Sequence, residues 1–207
     1  IKELAKFDKQ KKIFIVAFGG GVVGDLAGFV ASVYRRGTSY VQIPTTLLAQ
    51  VDSAIGGKTA LDLDLGKNLV GAIYQPKLVF SDVELLKSLN QEQLASGLAE
   101  VIKYAVIKDE KLFNFLKNNF KKIISKDLLA LQRIVKDCSR IKAKITSSDE
   151  KETRGYRTIL NFGHTIGHAI EAASGYSGYN HGQAVSLGMV VAIDLSSRLK
   201  LIDHKLA

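Results

Sequence analysis

The feature that most narrows the fold is a glycine cluster at the end of an apolar run. Lys11 and Lys12 lead into Ile13-Phe14-Ile15-Val16-Ala17-Phe18, rich in β-branched and aromatic residues, and the run stops at Gly19-Gly20-Gly21. A short continuous apolar run with this composition reads as a buried parallel strand. From Val22 to Tyr34 the residues are small and the apolar spacing is helical, so the glycines join a strand to a helix. Ser39-Tyr40-Val41-Gln42-Ile43-Pro44 is a second strand-like run, closed by a proline that has no N–H to give a ladder. Together these make a βαβ unit. Further on, Leu47 to Ala54 suits a short helix, Ile55 to Val70 reads as loop because of Gly56, Gly57 and Gly66, and Leu78-Val79-Phe80 reads as another strand.

After Ser81 the texture changes. Val83 to Asp149 contains one glycine, Gly97, and no proline, with apolar residues recurring at spacings of three and four, which predicts helices. Leu128, Leu131, Ile134, Val135, Cys138, Ile141 and Ile145 form one stripe of a long amphipathic helix, so Cys138 reads as core and not as a nucleophile. Asp149 to Arg157 is a charged loop, and Ile159 to Ala173 and Ala184 to Leu199 are expected to be two more helices. No internal repeat is visible. A domain boundary is expected near residue 82, with 1–81 α/β, 82–207 helical, and the two parts packed together.

With 46% hydrophobic residues the chain can build a core, which excludes a disordered or low-complexity class. Lys and Arg number 29 against 20 Asp and Glu, a net charge of +9. That surplus suits nucleic acid, an anionic surface or a small anionic substrate. The lysines from Lys103 to Lys126 are interleaved with Asp109 and Glu110 in helix-like sequence, so they read as a solvated face, and no nucleic-acid partner is expected. A single cysteine allows no internal disulfide, which makes a reducing cytoplasm the expected location. Apolar runs fall short of the ~20 residues of a membrane span, so no membrane association is expected. The first residue is Ile and no signal peptide is visible; the chain is expected to begin inside a longer protein.

Gly19-Gly20-Gly21-Val22-Val23-Gly24 fits G-x-G-x-x-G between a strand and a helix, where backbone N–H groups and the helix dipole can hold a pyrophosphate. A tight turn with close helix packing accounts for it equally well. Gly56-Gly57-Lys58-Thr59, with Gly66-Lys67-Asn68, is either a second anion loop or a polar turn. The histidines say more. His164 and His168 are four apart on one helix face, His181 opens the next helix, and Glu100 lies in an apolar helix with Lys103 one turn along. Two His and one Glu with a vacant position make a catalytic zinc set, although core-capping histidines and a Glu–Lys pair are the competing reading.

Six segments, taken in order, resemble the 3-dehydroquinate synthase family of the shikimate pathway: Phe18 to Ala31, Pro44 to Ala60, Gly66 to Pro76, Gly97 to Tyr104, Leu160 to Glu171 and His181 to Met189. The resemblance covers nearly the whole chain. It implies an α/β, Rossmann-like NAD-binding part followed by an all-α metal-binding domain, with the active site in the cleft between them. It implies catalytic use of NAD and of a divalent metal, zinc or cobalt, to turn an anionic keto-acid sugar phosphate into a carbocycle with loss of phosphate. Position by position, Glu100, His164 and His181 match metal ligands, and Gly20, Gly21, Asp25, Thr45 and Thr46 match NAD contacts. Asp52, Lys58, Lys67, Asn68, Lys103, Lys142, Glu152, Arg157, Asn161 and His168 match substrate or catalytic positions. Arg36 matches an arginine that reaches the neighbouring site of a homodimer.

The family's chemistry needs these residue types. Oxidising a secondary alcohol takes a hydride acceptor and a Lewis acid, after which the adjacent C–H is acidic enough for phosphate to leave. Lys58, Asn68, Arg157 and His168 are expected to cradle the phosphate, and Lys103 and Lys142 to hold the substrate carboxylate and hydroxyls. The chain departs from the family in Gln183, where the motif usually has Glu, which is expected to weaken a hydrogen bond near the metal. The Asp149 to Arg157 loop is one residue longer than usual, and the family's first strands and last helices are not represented. Two rivals remain: a sister sugar-phosphate cyclase of the 2-deoxy-scyllo-inosose or epi-valiolone synthase type, and a non-catalytic NAD- or anion-binding relative.

Overall fold

The computed structural model describes residues 1–8, 12–63, 66–150 and 152–206, and of Lys67 and Asn68 the backbone only. In chain order the first part comprises α1 (Lys2–Phe7), β1 (Ile15–Gly19), α2 (Gly21–Val33), β2 (Tyr40–Pro44), β3 (Lys58–Leu63), β4 (Gly66–Ile73) and β5 (Leu78–Val79). β1 and β2 pair in parallel, with Ile15 opposite Tyr40 and Gly19 opposite Pro44, and β5 adds to the far side of β2 in the same sense. The burial expected of the first strand is not found: among the described residues β1 lies at the edge of the sheet, and Val16 and Phe18 are more than half exposed. α2 is the crossover. It can lie close against the sheet because of two buried glycines: a Cβ at Gly24 would come 2.5 Å from Gln42 Oε1 of β2, and one at Gly28 2.4 Å from Thr59 Cγ2 of β3.

The stretch expected as loop, Ile55 to Val70, is largely a hairpin. β3 and β4 pair antiparallel from Lys58 opposite Ile73 to Leu63 opposite Gly66, with an irregularity between Leu61 and Leu63. Three glycines and several charges dilute the alternation that would reveal such strands, and Gly71 is needed because a Cβ there would meet the Thr59 carbonyl at 2.4 Å. Leu47 to Ala54 is helical as expected, and it contains a π-helical segment, Ala49–Ser53.

A 3₁₀ turn at Val83–Ser88 leads into α3 (Gln91–Lys108), α4 (Glu110–Ile124) and α5 (Leu128–Ser148). The side chains of Asn90, Asp109 and Asp127 cap these three helices by accepting from the backbone N–H groups of Gln93, Leu112 and Ala130. Their apolar stripes enclose one core, in which Leu94, Val101, Tyr104, Leu131, Ile134 and Cys138 meet Leu47 and Val51 from the first part. The turn that follows β2 is therefore anchored in the helical body. Burial pushes the Cys138 thiol well above its usual range, in keeping with a core role.

α6 (His164–Ala173) and α7 (His181–Arg198) follow, with a 3₁₀ turn at His204–Leu206 after them. The expected helix from Ile159 is divided: a 3₁₀ turn covers Tyr156–Asn161, and Gly163 at φ 79° resets the direction so that α6 begins at His164. Backbones touch where the last helices cross. A Cβ at Gly188 would lie 2.0 Å from the Gly163 carbonyl oxygen, and one at Gly182 2.3 Å from Ser96 Cα of α3. Gln183 corrects an expectation, because it forms a capping box with Asn180: its Oε1 accepts from the Asn180 N–H while the Asn180 side chain accepts from its own. Gln fills that position as Glu does. Among the described residues no helix is long and apolar enough to cross a membrane.

Because the obstacle at Gly188 is backbone, it cannot rotate aside. Gly188→Ala is expected to cost about 2–4 kcal/mol of stability, read from a denaturant midpoint; an unchanged midpoint would show that the α6–α7 contact gives way freely.

Candidate active site

α3 turns Glu100 and Lys103 toward α6 and α7, with side chains 0% and 2% exposed and in direct ion-pair contact. Each of the last two helices begins with a histidine aimed at the same carboxylate. Glu100 Oε1 lies 3.4 Å from His164 Nε2 and 3.6 Å from His181 Nε2. Among the described residues neither Glu100 oxygen has a hydrogen bond of acceptable geometry, so the buried carboxylate has its Lys103 ion pair but lacks hydrogen-bond donors. His164 Nδ1 is 3.2 Å from the Phe162 carbonyl, an acceptor only, so that nitrogen carries the proton and Nε2 keeps its lone pair toward Glu100. Nitrogen and oxygen ligands about 2.0–2.2 Å from a tetrahedral ion stand about 3.3–3.6 Å apart. The orphaned carboxylate and both spacings fit a divalent metal.

The charges are tuned to one another. Burial and the Asp52 charge act to raise the Glu100 carboxyl, but His181, Lys103 and His164 outweigh them and hold it below its usual range. Burial depresses His164, whereas His181 is raised because Glu100 and Glu171 outweigh its burial. Glu171, buried on α6, lies with Oε1 3.7 Å from His181 Nδ1, behind the ring. Sequence reading passed over it. Its only signal was its place one turn beyond His168.

A cleft of about 720 Å³ opens in front of these residues, lined among others by Asp25, Asp52, Lys58, Lys103, Lys142, Glu152, Arg157, Asn161, His164, His168 and His181. The structure thus brings together side chains from every part of the chain. Lys58 on β3 and Arg157 on the 3₁₀ turn share one counter-ion, Glu152, whose Oε1 is 2.7 Å from Lys58 Nζ and 3.3 Å from Arg157 Nε. Arg157 is 4% exposed and donates through Nη1 to the Glu150 carbonyl at 3.0 Å. Its loop is held by Asp149, which accepts from the Thr153 and Arg154 N–H groups.

At the other side, Asp52 on the π-helical turn accepts from Lys142 Nζ of α5 at 2.9 Å and from the Tyr104 hydroxyl of α3. Burial works to raise the Asp52 carboxyl, but Lys142, Lys103 and Tyr104 hold it well below the usual range. Tyr104 is a second residue that sequence reading passed over, since a tyrosine in an apolar helix signals core and nothing more.

Not every candidate enters the cleft. Gly20, Gly21, Thr45 and Thr46 gather at the ends of β1 and β2: Thr45 N–H donates to the Gly19 carbonyl at 2.9 Å, and a Cβ at Gly20 would meet Thr46 Cγ2 at 3.2 Å. Of the residues expected at the cofactor only Asp25 lines the cleft. Arg36 lies on an exposed turn after α2 at φ 61°. The side chains of Lys67 and Asn68 lie outside the described residues.

Comparison with known families matches residues 1–96 to the 3-dehydroquinate synthase N-terminal region and residues 97–207 to the 3-dehydroquinate synthase C-terminal region. The chain belongs to the 3-dehydroquinate synthase family. The 3-dehydroquinate synthase of Thermodesulfovibrio yellowstonii is 54% identical over 205 residues, which cover 99% of this chain and 57% of that protein. A 2-deoxy-scyllo-inosose synthase solved with carbaglucose-6-phosphate, NAD+ and Co2+ superposes with a TM-score of 0.90 at 33% identity, covering 99% of this chain and 55% of the other. A 2-epi-5-epi-valiolone synthase from Streptomyces hygroscopicus, with NAD+ and Zn2+ bound, gives 0.90 at 28% identity over 99% and 57%. The chain spans little more than half the length of these relatives.

Asp25 supplies a test in solution. Burial, opposed by Lys142 and reinforced by Asp62 and Asp52, pushes its carboxyl up to about 6. A raised folded-state value means that the stability from the protonated group is complete at low pH and is lost as pH rises through about 6. Asp25→Asn is therefore expected to flatten the decline in stability between pH 5 and pH 8 by about 1–2 kcal/mol, allowing for the group's remaining exposure. Denaturant titrations at the two pH values check this, and parallel profiles for variant and wild type would refute it.

Proposed function

We propose that this chain carries the catalytic centre of a 3-dehydroquinate synthase, converting 3-deoxy-D-arabino-heptulosonate 7-phosphate to 3-dehydroquinate and phosphate. The observation that carries the reading is the meeting, in one cleft, of a Glu–His–His set at metal-ligand spacing with Lys58, Lys103, Lys142 and Arg157. The 54% identity to a 3-dehydroquinate synthase, against 33% and 28% to the two other cyclases, favours this substrate over theirs. A non-catalytic relative would have no need of an unsatisfied buried carboxylate between two imidazoles.

When bound, NAD supplies hydride transfer and a divalent metal, zinc or cobalt, supplies Lewis acidity at the hydroxyl to be oxidised. Glu100, His164 and His181 would hold the ion. Gly20 and Gly21 at the N-terminus of α2, with Thr45 and Thr46 just after β2, would hold the pyrophosphate through backbone N–H groups and hydroxyls, with Asp25 left for a cofactor hydroxyl. Lys58 and Arg157 bind the substrate phosphate, and in doing so exchange it for Glu152. Buried Arg157 presents its guanidinium at a fixed angle, so the phosphate is held close to the proton it takes and is positioned to leave. Lys103 and Lys142 offer ammonium groups to the carboxylate and hydroxyls, while Asp52 accepts from a hydroxyl. Asn161 and His168, exposed on the cleft wall, complete the polar lining.

The reading is tested on the complete protein by phosphate release from the heptulosonate phosphate with NAD, before and after chelation and re-addition of zinc or cobalt. Lys58→Ala and Arg157→Ala are each expected to cost about 2–4 kcal/mol in kcat/KM with metal content unchanged. Near-normal turnover in either would contradict the assigned role. Arg36, exposed and away from its own cleft, is proposed to act in the partner's site of a homodimer. Mixing Arg36→Ala with Lys58→Ala subunits should then restore about a quarter of wild-type activity, because random exchange makes half the dimers mixed and one site in each is whole. No recovery would place Arg36 in its own subunit's chemistry.

A further inference from the structure

We propose that Tyr104 is a positioning residue for substrate selection: through Asp52 it fixes an acceptor that the cleft presents to a substrate hydroxyl. The inference rests on the functional reading above and goes beyond it. Tyr104 has no exposure and its ring belongs to the helical core with Leu131 and Cys138. Its hydroxyl is the part that leaves the core, and it donates to Asp52 Oδ1 across a separation of 52 residues. Lys142 Nζ donates to that same oxygen at 2.9 Å and to the Asp52 backbone carbonyl at 2.7 Å. Both of these donors take one carboxylate oxygen, and among the described residues Oδ2 is left to face a ligand in the cleft that Asp52 lines.

The two donors differ in what they can fix. Lys142 ends in a rotatable ammonium on a flexible stem, which by itself follows the carboxylate as it turns about its last bond. The Tyr104 hydroxyl is set by a ring locked in a packed core, and it defines one direction. Burial and the Asp52 charge drive the Tyr104 phenol far above its ordinary range, so it keeps its proton and donates it to Asp52. Asp52 itself sits on the π-helical turn, an irregular segment that needs outside contacts to hold one geometry. An ionised carboxylate so held repels the anionic ends of a substrate and accepts from a neutral hydroxyl. It thereby sorts substrates by whether a hydroxyl stands at that point of the carbon chain.

The test uses the complete protein. Tyr104→Phe is expected to raise KM for the heptulosonate phosphate about 5–20-fold with kcat changed less than about threefold, the pattern of lost binding common to ground and transition states. Metal content and NAD affinity should stay at wild-type values. In an Asp52→Asn background, adding Tyr104→Phe should change KM less than about twofold, because the effect runs through Asp52. A Tyr104→Phe enzyme with wild-type KM, or one whose effect multiplies in full with that of Asp52→Asn, overturns the proposal. If the phenylalanine variant does not fold, 3-fluorotyrosine at the same position keeps the ring and alters the donor, and an unchanged KM there also overturns it. Absence of turnover by the wild type overturns the functional reading itself, and with it the substrate named here.

Discussion

Glu100 stands in the middle of α3 with its side chain wholly removed from water, and much of the second half of the chain is arranged around that charge. A carboxylate buried alone would cost several kcal/mol, so it must be surrounded by positive partners. Lys103, one helical turn away, provides the first. The starts of α6 and α7 bring the positive ends of two helices to the same point, together with two imidazoles, of which His164 is the neutral one. Even so the two carboxylate oxygens lack proper hydrogen bonds, and this remaining deficit is what a divalent cation would fill.

That convergence depends on packing at backbone distance. Gly188 lies against the carbonyl of Gly163 and Gly182 against Ser96, so α7 is seated on both α6 and α3 with no side chain between them. Ser96 Oγ also accepts from the Gly182 N–H at 3.1 Å, satisfying one of the free donors at the start of α7. Ring positions are thus set by main-chain contact. At Asp52 the anchorage is by side chains instead, since Leu47 and Val51 fasten the turn after β2 into the helical core.

How much of this was legible in the sequence depends on how local each signal was. The strand, glycine turn and helix at residues 13–34 could be read because periodicity and glycine placement act within a few residues. His164 and His168 could be placed on one face for the same reason. The β3–β4 hairpin could not, because its glycines answer to neighbours across the ladder and blur the alternation. Gln183 looked like a weakened contact near the metal when its role is to cap its own helix, a choice that only the geometry of Asn180 decides. The meeting of Glu100 with His164 and His181 could be suspected from residue types and from the family resemblance. Its distances follow from three helix crossings that no sequence spacing encodes. Tyr104 shows the other limit, since its apolar setting correctly predicts the ring's burial and is silent about its hydroxyl.

Glu152 has a consequence for how the cleft behaves among the salts of a cell. By lying between Lys58 and Arg157 it gives the pair an internal anion, so under the proposed function an incoming phosphate ester would not neutralise two bare cations but would replace one carboxylate with a group of higher charge and more oxygens. Chloride and other monoanions have little advantage over the group already in place. The affinity of this corner is a difference between two ion pairings, both weakened by added electrolyte, and its dependence on ionic strength is correspondingly shallow. A protein with so large a positive surplus would otherwise collect stray anions between two such cations.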